Sequence, residues 1–71
     1  MLFTVENIFT EYPNIVERSD LEKMLNIGRS TTLKLLKSGE IKSIRIGNAY
    51  KIPKVYVIDY LNAKAGEKED I

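Results

Sequence analysis

The chain has 71 residues, 44% of them hydrophobic and 30% charged, the balance of one small globular domain. It contains neither cysteine nor histidine, which excludes disulfides, thiolate or imidazole metal sites and the commonest general base at neutral pH. The formal net charge of +1 conceals an asymmetry: residues 1–22 carry one base against five acids, residues 23–54 eight bases against one acid, and residues 55–71 two bases against four acids. A basic centre between acidic ends suits a polyanion, nucleic acid foremost, although chance clustering in a small protein would give the same count. No apolar run approaches the ~18 residues of a membrane span. The start, MLFTVENIFTEY, lacks the basic region and cleavage site of a secretory signal, so a cytoplasmic location is expected. The carboxylates follow no calcium-loop spacing, so neither metal nor cofactor is expected.

Val5, Ile8, Phe9 and Tyr12 recur at i, i+3, i+4 and i+7 and predict that the N-terminal segment, residues 1–13, forms an amphipathic helix from about Val5 to Tyr12, with Thr4 as its cap and Pro13 as its end. That stripe either docks a partner or completes a small core. Ile15-Val16 is short enough to be only a strand fragment or a loop. Ser19-Asp20-Leu21-Glu22 reads as a capping box before a helix carrying Leu21, Met24 and Leu25 on one face. Asn26-Ile27-Gly28 interrupts the pattern. Gly28 then caps a second helix from Arg29 to about Lys37, closed by Ser38-Gly39. Two short helices joined by a tight turn describe a helix-turn-helix, with Ile27 as the buried turn residue.

On a helical wheel Thr32, Leu35 and Leu36 share one arc of this second helix. Arg29, Ser30, Leu33, Lys34 and Lys37 share the other, with no acid among them. An ordinary surface helix mixes signs and gains i,i+4 pairs; this face is suited to phosphates and base edges. Thr31 falls between the arcs, available either to a phosphate or to packing. Leu33 is available to a thymine methyl or sugar edge, or to packing against a neighbouring element or subunit.

Ile41 to Ile46, the turn formers Gly47-Asn48-Ala49, and Tyr50-Lys51-Ile52 alternate with period two and predict a β-hairpin. A three-residue loop is expected, because it pairs Ile46 with Tyr50, Arg45 with Lys51 and Ile44 with Ile52, placing all four apolar residues on one face. Pro53 suits the first position of a last helix running to about Asn62, with Val55, Ile58 and Leu61 on its apolar stripe. Residues 63–71 have little to bury and are expected to form a flexible tail. Paired carboxylates occur only in the cap (Asp20, Glu22) and the tail (Glu67, Glu69), so an enzyme is not expected.

The stretch from Leu21 to Leu61, LEKMLNIGRSTTLKLLKSGEIKSIRIGNAYKIPKVYVIDYL, resembles the excisionase family of DNA-binding domains, a MerR-like minimal winged helix-turn-helix. The resemblance covers residues 14–62. It lies in the turn Asn26-Ile27-Gly28, in Arg29-Ser30-Thr31, in the run Leu35 to Ile41, and in the wing from Arg45-Ile46-Gly47 to Tyr50-Lys51-Ile52-Pro53-Lys54. Gly28 stands where the family usually has serine, and the wing tip lacks the arginine many members carry. The fold so implied is α+β and mostly helical: a winged helix-turn-helix with an extra N-terminal helix, a two-stranded wing and a C-terminal helix.

The function implied is sequence-selective binding of double-stranded DNA. The family role that fits is an excisionase, or recombination directionality factor, acting near an integrase attachment site of a mobile genetic element. A small transcriptional regulator would use the same contacts. In either role Arg29, Ser30, Thr31, Leu33, Lys34 and Lys37 of the recognition helix, and Lys42, Arg45, Asn48 and Lys51 of the wing, are the expected DNA-binding residues. A recombinase or a second copy on DNA is the expected protein partner. No membrane or small-molecule ligand is expected.

Overall fold

Val16 and Ile52, both fully buried, are the pair around which the sheet closes. In a computed structural model, which describes residues 3–69, strand β1 (Ile15–Val16) is followed by helices α1 (Arg18–Leu25) and α2 (Arg29–Ser38). Strands β2 (Ile44–Ile46) and β3 (Ala49–Pro53) and helix α3 (Lys54–Glu69) complete the chain. The three strands form one antiparallel sheet in the order β1-β3-β2. The architecture is an α+β winged helix-turn-helix, and the short β1 gives the wing a third strand. The apolar core is drawn from every element but β2: Val16, Leu21, Leu35, Leu36, Ile41, Ile52 and Val57.

Helix α1 begins two residues earlier than the Ser19–Glu22 capping box would place it. Glu17 is the N-cap, and its N–H donates to Asp20 Oδ2 at 3.1 Å. Glu22 instead pairs with Arg18 one turn back. The helix closes with Asn26 in the left-handed region at φ 54°, while the Asn26 and Ile27 N–H groups bond the Lys23 and Glu22 carbonyls. This is the Schellman arrangement, which satisfies carbonyls the helix would otherwise leave open.

Residues 5–12 are not the expected helix but a succession of turns. The segment's polar groups find partners outside a helix. Asn7 Oδ1 accepts the Thr4 N–H at 2.9 Å, and Phe9 takes a left-handed φ of 58°. Lys54 Nζ donates to the Phe9 and Tyr12 carbonyls at 3.2 and 3.0 Å. The Asn62 amide accepts the Phe3 N–H at 2.8 Å and donates to the Phe3 carbonyl at 3.0 Å. Phe9 and Tyr12, edge to face at 6.1 Å, pack against the core, so half of the stripe completes it, while Val5 stands exposed.

The wing register also differs from expectation. Ile46 pairs with Ala49, Arg45 with Tyr50 and Ile44 with Lys51, across a two-residue turn at Gly47-Asn48. Gly47, at φ 61°, supplies the left-handed conformation such a turn requires. Residues 41–43 are not strand: Ile41 turns into the core, and its N–H bonds the Leu35 carbonyl. The register removes the like-charge pair Arg45–Lys51 and leaves Ile44 and Ile46 exposed.

Pro53 ends β3 rather than starting α3. Nor does the last helix stop at Asn62: of the expected flexible tail, residues 63–69 continue α3 through helix formers such as Ala63, Lys64 and Ala65, and residues 70–71 lie outside the described residues. Its buried stripe is Lys54, Val57 and Ile58, with Leu61 partly covered, while Val55 points outward.

Candidate nucleic-acid interface

Helix α2 owes its position to three buried residues on one arc: Thr32, Leu35 and Leu36. Thr32 is fully buried, and its hydroxyl donates to the Gly28 carbonyl at 2.8 Å, so the polar group carries no unmet demand. Gly28 is the N-cap, with extended backbone (φ −82°) and no side-chain cap bond. The first turn contains no acid. The helix N-terminus therefore presents open N–H donors and the positive end of its dipole to whatever lies in front of it.

Burying that arc fixes what faces outward. Arg29, Ser30, Lys34 and Lys37 are exposed, and Leu33 is half-buried beside them. Thr31 is exposed too, but it borders an apolar groove with Leu25, Ile27, Leu35 and Leu61, on the side of α2 that looks towards α3. Five of the six residues expected on the recognition helix thus share one surface, and Thr31 sits at its margin.

The wing places its four residues unequally. Asn48 is exposed at the turn. Arg45 is exposed, with its guanidinium 5.2 Å from the Tyr50 ring centroid, a cation–π distance that steadies a long side chain. Lys42 lies outside the strand, in the segment leading to it, with its ammonium 5.9 Å from the Tyr56 ring of α3. It lines a cleft with Glu40, Tyr56, Asp59 and Lys64, where acids dilute its charge. Lys51 is ion-paired, its Nζ 3.4 Å from Glu17 Oε2.

Lys54, one of the eight bases in the central block, is 6% exposed and belongs to the core rather than to any outward surface. Its charge is held by backbone carbonyls. The signal for this was present in the spacing Lys54, Val57, Ile58, Leu61, which is i, i+3, i+4, i+7 with a lysine in the leading place. Glu17 was missed as well, because its partner Lys51 is 34 residues away and only the sheet joins them. Among the described residues no cluster of three or more acids could hold a metal ion, and no helix is long and apolar enough to cross a membrane.

Comparison with known proteins agrees with the geometry. The family described as a helix-turn-helix domain matches residues 18–65, from the start of α1 to within α3. A curated relative from Saccharopolyspora erythraea, described as a probable excisionase, is 47% identical over 38 residues. That match covers 54% of this chain and 39% of the relative. No solved structure matches the chain.

Proposed function

The chain belongs to the helix-turn-helix domain family, and from that premise we propose a sequence-selective double-stranded DNA-binding protein that acts as an excisionase, near an integrase attachment site of a mobile element. The observation that carries the DNA-binding reading is the outward arc of α2. Two lysines, an arginine and a serine stand exposed there, with no acid in the helix and its N-terminus uncapped by any side chain. The likeness to a probable excisionase supports the finer role.

In this reading α2 lies in the major groove. Arg29 and Ser30, on its first turn, come closest to base edges, and the Arg29 fork matches the two acceptors of guanine. Leu33 meets a thymine methyl or the sugar edge. Lys34 and Lys37 hold phosphates, and Thr31, at the margin, holds one on the α3 side. The wing lies along the neighbouring backbone, where Arg45, Asn48 and Lys51 position the domain without reading sequence. Lys42 is the weakest of the ten candidates, given its acidic neighbours. The partners that follow from the role are DNA, an integrase, and a second copy bound beside the first. The protein itself performs no bond chemistry.

Nuclease footprinting across the DNA around its own gene and any adjacent integrase attachment site tests the proposal. Protected repeats flanking the attachment site are expected. Protection confined to a promoter would make the protein a transcriptional regulator instead. No protection at low salt would remove the DNA-binding reading itself.

A further inference from the structure

We infer that Glu17 is an intramolecular competitor of phosphate: it holds Lys51 of the wing and lowers the domain's affinity for DNA of any sequence. This rests on the DNA-binding reading above. The pair is a product of the sheet rather than of one favourable side-chain conformation. In the β1–β3 register Ile15 lies opposite Pro53 and Val16 opposite Ile52. One step further along, the chain brings Glu17 across from Lys51, which has Ile44 on its other side. The ammonium and carboxylate stand 3.4 Å apart, 37% and 62% exposed.

The Glu17 backbone is fixed at the start of α1: its N–H donates to Asp20 Oδ2, and its carbonyl accepts the Leu21 N–H at 3.0 Å in the first bond of the helix. The root of the side chain is therefore held beside β3, within reach of Lys51. A phosphate that reaches Lys51 must either displace Glu17 or share the ammonium with it. Sharing brings two anions side by side. Displacement leaves an unpaired carboxylate close to the DNA backbone. Either way the contact is weaker than Lys51 alone would make it, and the loss does not depend on base sequence, since phosphate contacts carry no sequence information. An exposed pair is weak, so the effect is a few-fold rather than a switch.

A double-mutant cycle read by fluorescence anisotropy tests this, using the full chain with Glu17→Gln, Lys51→Ala and both together. Each is titrated with a footprinted duplex and a scrambled one at several salt concentrations. Glu17→Gln is expected to tighten binding to both duplexes by about threefold at low salt. It should also steepen the fall of log K with log salt by up to about one. In the Lys51→Ala background the same change is expected to tighten binding clearly less, by only the repulsion between the bare carboxylate and phosphate.

No tightening by Glu17→Gln overturns the inference. So does equal tightening with and without Lys51, because Glu17 would then act only as a general negative charge. Both results leave the DNA-binding reading standing. A wild-type protein that binds neither duplex overturns that reading, and this inference with it.

Discussion

At the scale of single residues, the chemistry that matters is how each cation is held. Arg29, Lys34 and Lys37 are offered outward by α2, Lys51 is half-neutralised by Glu17, and Lys54 is buried beneath the N-terminal segment. These differences predict different losses. Arg29→Ala is expected to cost about 1–3 kcal/mol on the cognate site and to relax selectivity at one base pair. Titration against single-base variants of the footprinted duplex checks this, and uniform weakening across all variants would make Arg29 a phosphate clamp. Lys54→Met is expected to leave DNA affinity unchanged. It should lower stability by about 1–3 kcal/mol, because the Phe9 and Tyr12 carbonyls lose a charged donor in a buried place. A urea midpoint reports the stability and anisotropy the affinity. Charge counting alone could not make this distinction, because it weighs all eight bases of the central block alike; the apolar spacing that Lys54 leads is what sets it apart.

At the scale of elements, two glycines with open space around them differ only in backbone conformation. Gly39 caps α2 at φ 83°, and a Cβ there would meet nothing within 4 Å. Gly39→Ala is therefore expected to cost about 1 kcal/mol, purely from left-handed strain. Gly28 has an ordinary φ of −82°, equally open surroundings and the N-cap position. Gly28→Ser is expected to stabilise by a few tenths of a kcal/mol through the missing cap bond. Chemical denaturation of the two variants should move the midpoint in opposite directions.

The helix-turn-helix was legible because its signals are local: the Asn26-Ile27-Gly28 interruption, the buried arc of Thr32, Leu35 and Leu36, and Gly39 at the stop. The wing register was not. A three-residue loop follows only if all four apolar residues share a face, which presumes that the hairpin buries them. The hairpin projects instead, leaving Ile44 and Ile46 open, and the two-residue turn at Gly47-Asn48 decides the pairing. The N-terminal stripe failed for a related reason. Val5, Ile8, Phe9 and Tyr12 have helical spacing, but bonds from Lys54 and Asn62, 42 to 59 residues away, hold that segment in turns.

At the scale of the whole molecule, burial of one basic residue and pairing of another reduce the central block from eight bases to six that stand outward with no ion pair to an acid among the described residues: Lys23, Arg29, Lys34, Lys37, Lys42 and Arg45. Three of these lie on α2. With Lys51 recruited from Glu17 on binding, about five phosphate contacts are expected. The slope of log K against log salt should then be roughly −4 to −5 for duplex DNA. A slope near −1 would confine the contact to one or two cations and exclude the combined use of helix and wing.

The claim on which everything else depends is that the outward arc of α2, together with the wing, forms the DNA-binding surface. The most direct test is a titration of isotopically labelled protein with the footprinted duplex, following backbone amide resonances residue by residue. The expected result is that the largest changes fall on Gly28 to Lys37 and on Arg45 to Lys51, while the exposed face of α3 at Val55, Asp59 and Ala63 stays still. Changes concentrated on that α3 face, with α2 unmoved, would contradict the account.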